Sequence, residues 1–228
     1  MKLTLLTMSS ILAGVLATGP LRAQTPTPPP GRPSTGFVPG SRELFSVDFA
    51  SVPAGEFPKQ LHTIHGSMTM VMKDGVPALR ASDVGVFLIN LRERLPDDFT
   101  VELDIIPKAC CNPWDLEMEA TPAQDGGSAS MVMLWSPDGL QTFGGGDGFS
   151  RKMPEDLQPL LHGQLSEVRL SVKGTMVAMY TNGQKLWTLD RKIPRGRVFR
   201  VKLGGQDDDK QAVYLTKLRI ATNSPAAP

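Results

Sequence analysis

Long hydrophobic runs are scarce in this chain. The longest, residues 3–17, has 15 residues, short of the ~20 that a membrane-spanning helix needs. Cysteine is nearly absent. Two in 228 residues cannot staple a disulfide miniprotein. Charge of one sign is lacking as well. With 24 Lys+Arg against 23 Asp+Glu the formal charge is +1, which excludes a nucleic-acid binder that works through an electrostatic footprint. Three histidines, His62, His65 and His162, show no ligand spacing relative to the cysteines, so no metal site is expected. Gly144-Gly145-Gly146-Asp147-Gly148 lacks the Lys-Ser/Thr and the helix of a phosphate-cradling loop. It reads as a loop after a strand, and no cofactor is expected. What is present in quantity is apolar residues, 40% of the chain, too many for a wholly disordered polypeptide.

The N-terminus has the layout of an export signal. Lys2 is a minimal basic start, residues 3–17 form the apolar stretch, and Gly19 and Pro20 break the helix. Ala23 supplies the small residue before a cut; a cut after Ala17 also fits. No cysteine follows the apolar run, so a lipoprotein anchor at this point is excluded. An uncleaved anchor helix is the alternative, and the length argues against it. Removing residues 1–23 removes Lys2 and Arg22 and leaves 22 basic against 23 acidic residues, a charge of −1. No transmembrane span is expected in the mature chain.

Residues 24–41 form a proline-rich linker. Six of the 17 residues 24–40 are proline, an extended spacer composition with no means of burying a core. Residues 223–228 are a loose tail. Between them, residues 42–222 read as one domain with almost no helical periodicity; the single helix candidate is 154–161. Short β-rich runs are punctuated by turn signals. Asp74-Gly75 and Asn182-Gly183 are two-residue hairpin signals. In FTVELDII, Val101, Leu103 and Ile105 share one face, and Glu102 and Asp104 the other. In VYLTKLRIA the alternation slips once between Leu215 and Leu218, which implies a bulge. SASMVMLW is apolar on both faces, as a covered central strand would be. Short connections require antiparallel pairing. A dozen or more strands are too many for one flat sheet. The expected fold is an all-β, two-sheet antiparallel jelly-roll sandwich.

Three stretches carry a resemblance. FVPGSRELFSVDFASVPAGEFPKQLHTIHGSMTMVMKDGVPALRAS resembles the opening of a concanavalin A-like (laminin G-like) sandwich. LPDDFTVELDI resembles the start of that domain's second half. VRLSVKGTMVAMYTNGQKLWTLD and FRVKLGGQDDDKQAVYLTKLRIA resemble its closing hairpin and terminal strands. The N-terminal domain of some bacterial outer-membrane-protein-A-like envelope proteins is similar. There a peptidoglycan-binding domain follows, whereas this sequence ends at Pro228, so wall anchoring by that route is not expected. The resemblance implies the sandwich fold, which hosts lectins, glycan-binding modules, glycoside hydrolases and adhesive domains.

The sharpest candidate site is Trp114-Asp115-Leu116-Glu117-Met118-Glu119. On a strand, Asp115, Glu117 and Glu119 share a face. The row is similar to the E-x-D-x-E strand of retaining glucanases in this fold. That likeness implies Asp115 as nucleophile, Glu117 as helper and Glu119 as acid/base. The first and middle identities are exchanged, and an Asp nucleophile is one methylene shorter. The plainer reading is a solvated face with Leu116, Met118 and Ala120 turned inward. Trp114 is the most plausible exposed ring for stacking a sugar; Trp135 and Trp187 read as core. Asp147 and Arg151, in and beside the glycine loop, could line the same groove.

Cys110 and Cys111 are adjacent. In an oxidising compartment they could close a vicinal disulfide, remain thiols or bridge two chains. The absence of a third cysteine favours the vicinal bond, although neighbouring Cα atoms ~3.8 Å apart lie below the usual range. His62 and His65, at i and i+3, would lie on opposite faces of a regular strand. Asp207-Asp208-Asp209 matches no calcium loop and reads as a solvated turn. The function expected is an exported, non-enzymatic binding module for a cell-envelope or extracellular glycan. The competing readings are an assembly subunit whose partner is another envelope protein, and a glycoside hydrolase.

Overall fold

The computed structural model describes residues 36–81, 84–107, 116–120, 131–136, 139–143, 149–151, 163–190, 192–204 and 211–225. The helix candidate at 154–161 lies outside them. In chain order the strands are β1 (Arg42–Val47), β2 (Leu61–His65), β3 (Met68–Lys73), β4 (Val76–Ala81), β5 (Gly85–Asn90), β6 (Asp98–Ile106), β7 (Leu116–Ala120), β8 (Met131–Ser136), β9 (Gly139–Phe143), β10 (Phe149–Arg151), β11 (Ser166–Lys173), β12 (Met176–Thr181), β13 (Gln184–Asp190), β14 (Val198–Leu203) and β15 (Val213–Thr222). A 3-10 turn, Phe49–Ser51, follows β1 and is capped by the Asp48 carboxylate, which accepts from the Ala50 amide.

These strands make two antiparallel sheets. The larger has eight strands in the order β13-β12-β11-β6-β15-β4-β3, with β1 also paired to β15. The long β15 therefore carries β6 along one edge and β4 and β1 in succession along the other. The second sheet has seven strands in the order β10-β9-β8-β7-β14-β5-β2. Together they form the all-β jelly-roll sandwich that the alternation predicts.

The core lies between the sheets. Val101, Leu103 and Ile105 of β6 and Leu218 and Ile220 of β15 face Phe87 and Ile89 of β5 and Phe199, Val201 and Leu203 of β14, all at most 2% exposed. They belong to one cluster. Each such side chain contributes roughly 1.5–3 kcal/mol relative to exposure. Trp187 joins the cluster.

Turn chemistry sets the register at two hairpins. Asp74 and Gly75 have φ of 50° and 80°, and Asn182 and Gly183 have φ of 45° and 75°. These left-handed pairs are the two-residue turns that suit the twist of a hairpin. The slip in β15 is a bulge at Thr216. Leu215 pairs Ile105 while Lys217 pairs Asp104. The extra residue lets Leu215 and Leu218 both reach the core, three positions apart.

A second bulge corrects one expectation. In β2 the register passes from Thr63 opposite Phe87 to His65 opposite Val86, leaving Ile64 extra. His62 pairs Leu88, and Leu88 and Val86 share a face, so His62 and His65 lie on the same face rather than on opposite ones. Among the described residues no cluster of His, Cys, Asp or Glu could hold a metal ion.

Residues 36–41, whose composition reads as the end of the spacer, pack across the larger sheet. The Phe37 ring meets Tyr180 edge-on at 5.6 Å. The Gly40 amide donates to Thr100 Oγ1 at 3.1 Å, and the Gly40 carbonyl accepts from Arg219 Nη2 at 2.7 Å.

Candidate functional site

Strand β7 carries the carboxylate row, and the strand register shows what it stands beside. Glu117 pairs Lys202 on β14 and Leu134 on β8; Glu119 pairs Arg200 and Val132. Directly opposed residues share a face. Phe199, Val201 and Leu203 are buried in the core, so Arg200 and Lys202, and with them Glu117 and Glu119, take the outer-face positions. Following the pairing across the sheet, one row runs His62, Leu88, Arg200, Glu119, Val132, Phe143. The next runs His65, Val86, Lys202, Glu117, Leu134, Gln141, Ser150. Two acidic positions, Glu117 and Glu119, thus stand opposite two basic ones, Lys202 and Arg200, in adjacent rows of the register.

Arg151 falls elsewhere. It pairs Leu140, which pairs Trp135, then Leu116 and the buried Leu203. That row belongs to the core-facing side, so Arg151 and the carboxylates occupy opposite faces, while Ser150 shares theirs. Cys110, Cys111, Trp114, Asp115, Asp147 and Asp207-Asp208-Asp209 lie outside the described residues.

On the other sheet a charge cluster forms that the alternation alone does not predict. Glu102 is 5% exposed although it sits on the outer face of β6. Its carboxylate receives Lys217 Nζ at 2.7 Å and Arg219 Nη1 at 2.5 Å, with Arg169 Nε at 3.9 Å. Arg169 also pairs Asp104 at 2.6 Å and Glu167 at 3.5 Å. Burial pushes the Glu102 carboxyl up, but hydrogen bonds from Lys217 and Arg219, helped by their charges, outweigh it and hold the group below its ordinary value. A buried carboxylate held ionised by three cations serves structure rather than proton transfer.

A cleft of about 700 Å³ opens along β1, bordered by Arg42, Glu43, Leu44, Phe45 and Ser46 on one side and Gln60, Asn90, Arg92 and Glu93 on the other. Sequence reasoning missed it, because its walls come from segments up to 51 residues apart. Arg42 Nη1 is ion-paired to Glu93 Oε1 across it.

No protein-family model and no curated protein sequence matches the chain. Solved structures do. A botulinum neurotoxin type C structure, from work linking cell entry to interaction with two ganglioside molecules, aligns at TM-score 0.55 and 10% identity over 81% of this chain and 49% of that one. The binding domain of botulinum neurotoxin serotype D aligns at TM-score 0.52 and 8% identity, again over 81% of this chain and 49% of that one. A structure from work on endo-acting O-glycanases, which prominent human gut microbes express to initiate mucin breakdown, aligns at TM-score 0.55 and 12% identity, over 80% of this chain and 100% of that one. The chain spans about half the length of the neurotoxin structures it matches. At these identities the likeness is one of fold alone, the β-sandwich.

Proposed function

We propose that this chain is an exported, non-enzymatic module that binds a cell-envelope or extracellular glycan on the outer face of its seven-stranded sheet. The observation that carries the reading is the register of Glu117 and Glu119 against Lys202 and Arg200. It places two acidic and two basic positions in adjacent cross-strand rows, residue types that accept from and donate to sugar hydroxyls. The ganglioside and O-glycanase contexts of the similar structures support a glycan as the ligand class. The apolar leader at residues 3–17 supports export, and no helix of the described residues is long and apolar enough to cross a membrane.

A partner protein is the competing ligand. The exposed large apolar side chains among the described residues are Val38, Ile64, Met72, Leu165 and Met176. Val38 and Met176 border one hollow on the larger sheet, an apolar contact there that suits a protein partner.

Two variants separate the binder from the hydrolase. Glu119→Gln keeps a hydrogen-bonding group and is expected to bind polysaccharide within about threefold of wild type, with no sugar released by either protein. Glu117→Ala combined with Glu119→Ala is expected to weaken binding about tenfold or more, since hydrogen bonds to charged groups contribute ~1.5–3 kcal/mol. Sugar release by wild type that Glu119→Gln abolishes would establish the hydrolase instead.

A further inference from the structure

The β1 cleft has a built lining, and the groups along it narrow what it could take. Five consecutive residues of β1, from Arg42 to Ser46, line it. Alternate residues of a strand point to opposite faces, so a cavity bordered by an unbroken run borders the strand's hydrogen-bonding edge. Among the described strands β1 pairs only with β15, which leaves its other edge without a strand partner among them. An open edge invites a peptide strand, but here the ladder is broken. The register shifts between Glu43 and Phe45, with Leu44 as the extra residue. Such a bulge disrupts the even row of N–H and C=O groups that strand addition needs. The edge therefore offers isolated polar groups, suited to a compact ligand.

The charges narrow the class further. Arg42 is fully engaged: its Nη1 with Glu93, its Nε donating to the Ser224 carbonyl at 3.1 Å and its Nη2 to the Pro225 carbonyl at 3.3 Å. Glu43 accepts from Ser46 Oγ at 2.6 Å and pairs Arg219 Nε at 3.6 Å. These pairs cancel. The lining carries two cations, Arg42 and Arg92, and two carboxylates, Glu43 and Glu93; of these Arg92 is exposed and makes no ion pair among the described residues, so its guanidinium is the charge left open to a ligand. Beside it stand the exposed amides of Gln60 and Asn90, each both donor and acceptor. Half-buried Leu44 and Phe45 supply an apolar wall. A volume of about 700 Å³ lies within the ~300–1,000 Å³ of small-molecule sites.

We infer that this cleft binds an acidic sugar, with Arg92 taking its carboxylate and Gln60 and Asn90 its hydroxyls. The guanidinium fork matches a carboxylate bidentately. The glycan class rests on the reading of the previous subsection; the site does not, because the cleft lies at β1 and the acid–base rows lie on β7 and β14.

The test is isothermal titration of the intact protein with oligogalacturonate and with the matching neutral galactose oligomer. The expected result is binding of the acidic oligomer that weakens with added salt, falls about tenfold or more in Arg92→Gln, and survives Glu117→Ala/Glu119→Ala. Arg92 is exposed, so the variant should melt as wild type does; Asn90→Ala, expected to weaken binding severalfold, is the second probe. Equal affinity for both oligomers, no binding of the acidic one, or a wild-type affinity in Arg92→Gln would overturn the inference. Loss in the β7 double variant alone would also overturn it while upholding the sheet-face reading. Binding in neither titration nor to any polysaccharide would instead remove the glycan reading itself.

Discussion

Replacing Glu102 by alanine is expected to lower the midpoint of thermal unfolding by about 10 °C at pH 7. The carboxylate is 5% exposed, and three cations converge on it: Lys217, Arg219 and Arg169. Removing it leaves their charges crowded in a covered site. Breaking a buried ion pair by deleting one partner costs about 3–5 kcal/mol, and a chain of this size loses about 2–4 °C per kcal/mol. The pH dependence is the specific signature. The folded-state pKa of Glu102 lies below its ordinary 4.5. A depressed carboxylate pKa contributes stability that is fully present above the unfolded value and lost as pH falls through the folded one. The gap between wild type and variant should therefore be full from pH 5 to 7 and shrink below about pH 4.5. Melting curves at pH 7 and pH 3 measure it. A gap that is the same at both would show that the loss comes from packing and not from charge.

The second large effect is expected at Gly40. A Cβ built there lies 2.5 Å from the Thr222 amide nitrogen and 2.7 Å from the Ala221 carbonyl carbon. Both are backbone atoms of β15, the strand that joins β6, β4 and β1, so they cannot swing aside. Gly40→Ala must lift residues 36–41 off the sheet and sacrifice the bonds to Thr100 and Arg219. A loss of about 2–3 kcal/mol follows, read as a drop in the melting midpoint. A chain that starts at Arg42 should likewise melt below one that starts at residue 36. Equal midpoints for the two would mean that the segment lies on the sheet without stabilising it.

How far the sequence alone reaches depends on the range of the interaction. Local signals carried through. The alternation of Val101, Leu103 and Ile105, the left-handed pairs Asp74-Gly75 and Asn182-Gly183, and the slip in β15 are all decided within a few residues, and each appears in the structure. The strands β2, β9 and β10 were not legible, because short runs such as LHTIH and GLQTF mix polar with apolar residues and owe their pairing to neighbours. The β2 bulge is likewise set by its partner strand, and only the partner shows that His62 and His65 share a face. Alternation places Glu102 on an outer face but cannot say that long cationic side chains and a returning segment cover that face. The carboxylate row was legible as Glu117 and Glu119; its pairing with Lys202 and Arg200, more than 80 residues later, was not. The β1 cleft was invisible for the same reason.

The central claim is that the outer face of the seven-stranded sheet holds a glycan without cleaving it. The most direct measurement incubates the purified protein with a panel of insoluble polysaccharides and peptidoglycan and follows depletion from solution and released sugar together. The account predicts depletion by at least one neutral polymer, no released sugar, and loss of that depletion in Glu117→Ala/Glu119→Ala. Released sugar would contradict it and promote Asp115 and Glu119 to catalysts; no depletion by any polymer would contradict it in favour of a protein partner.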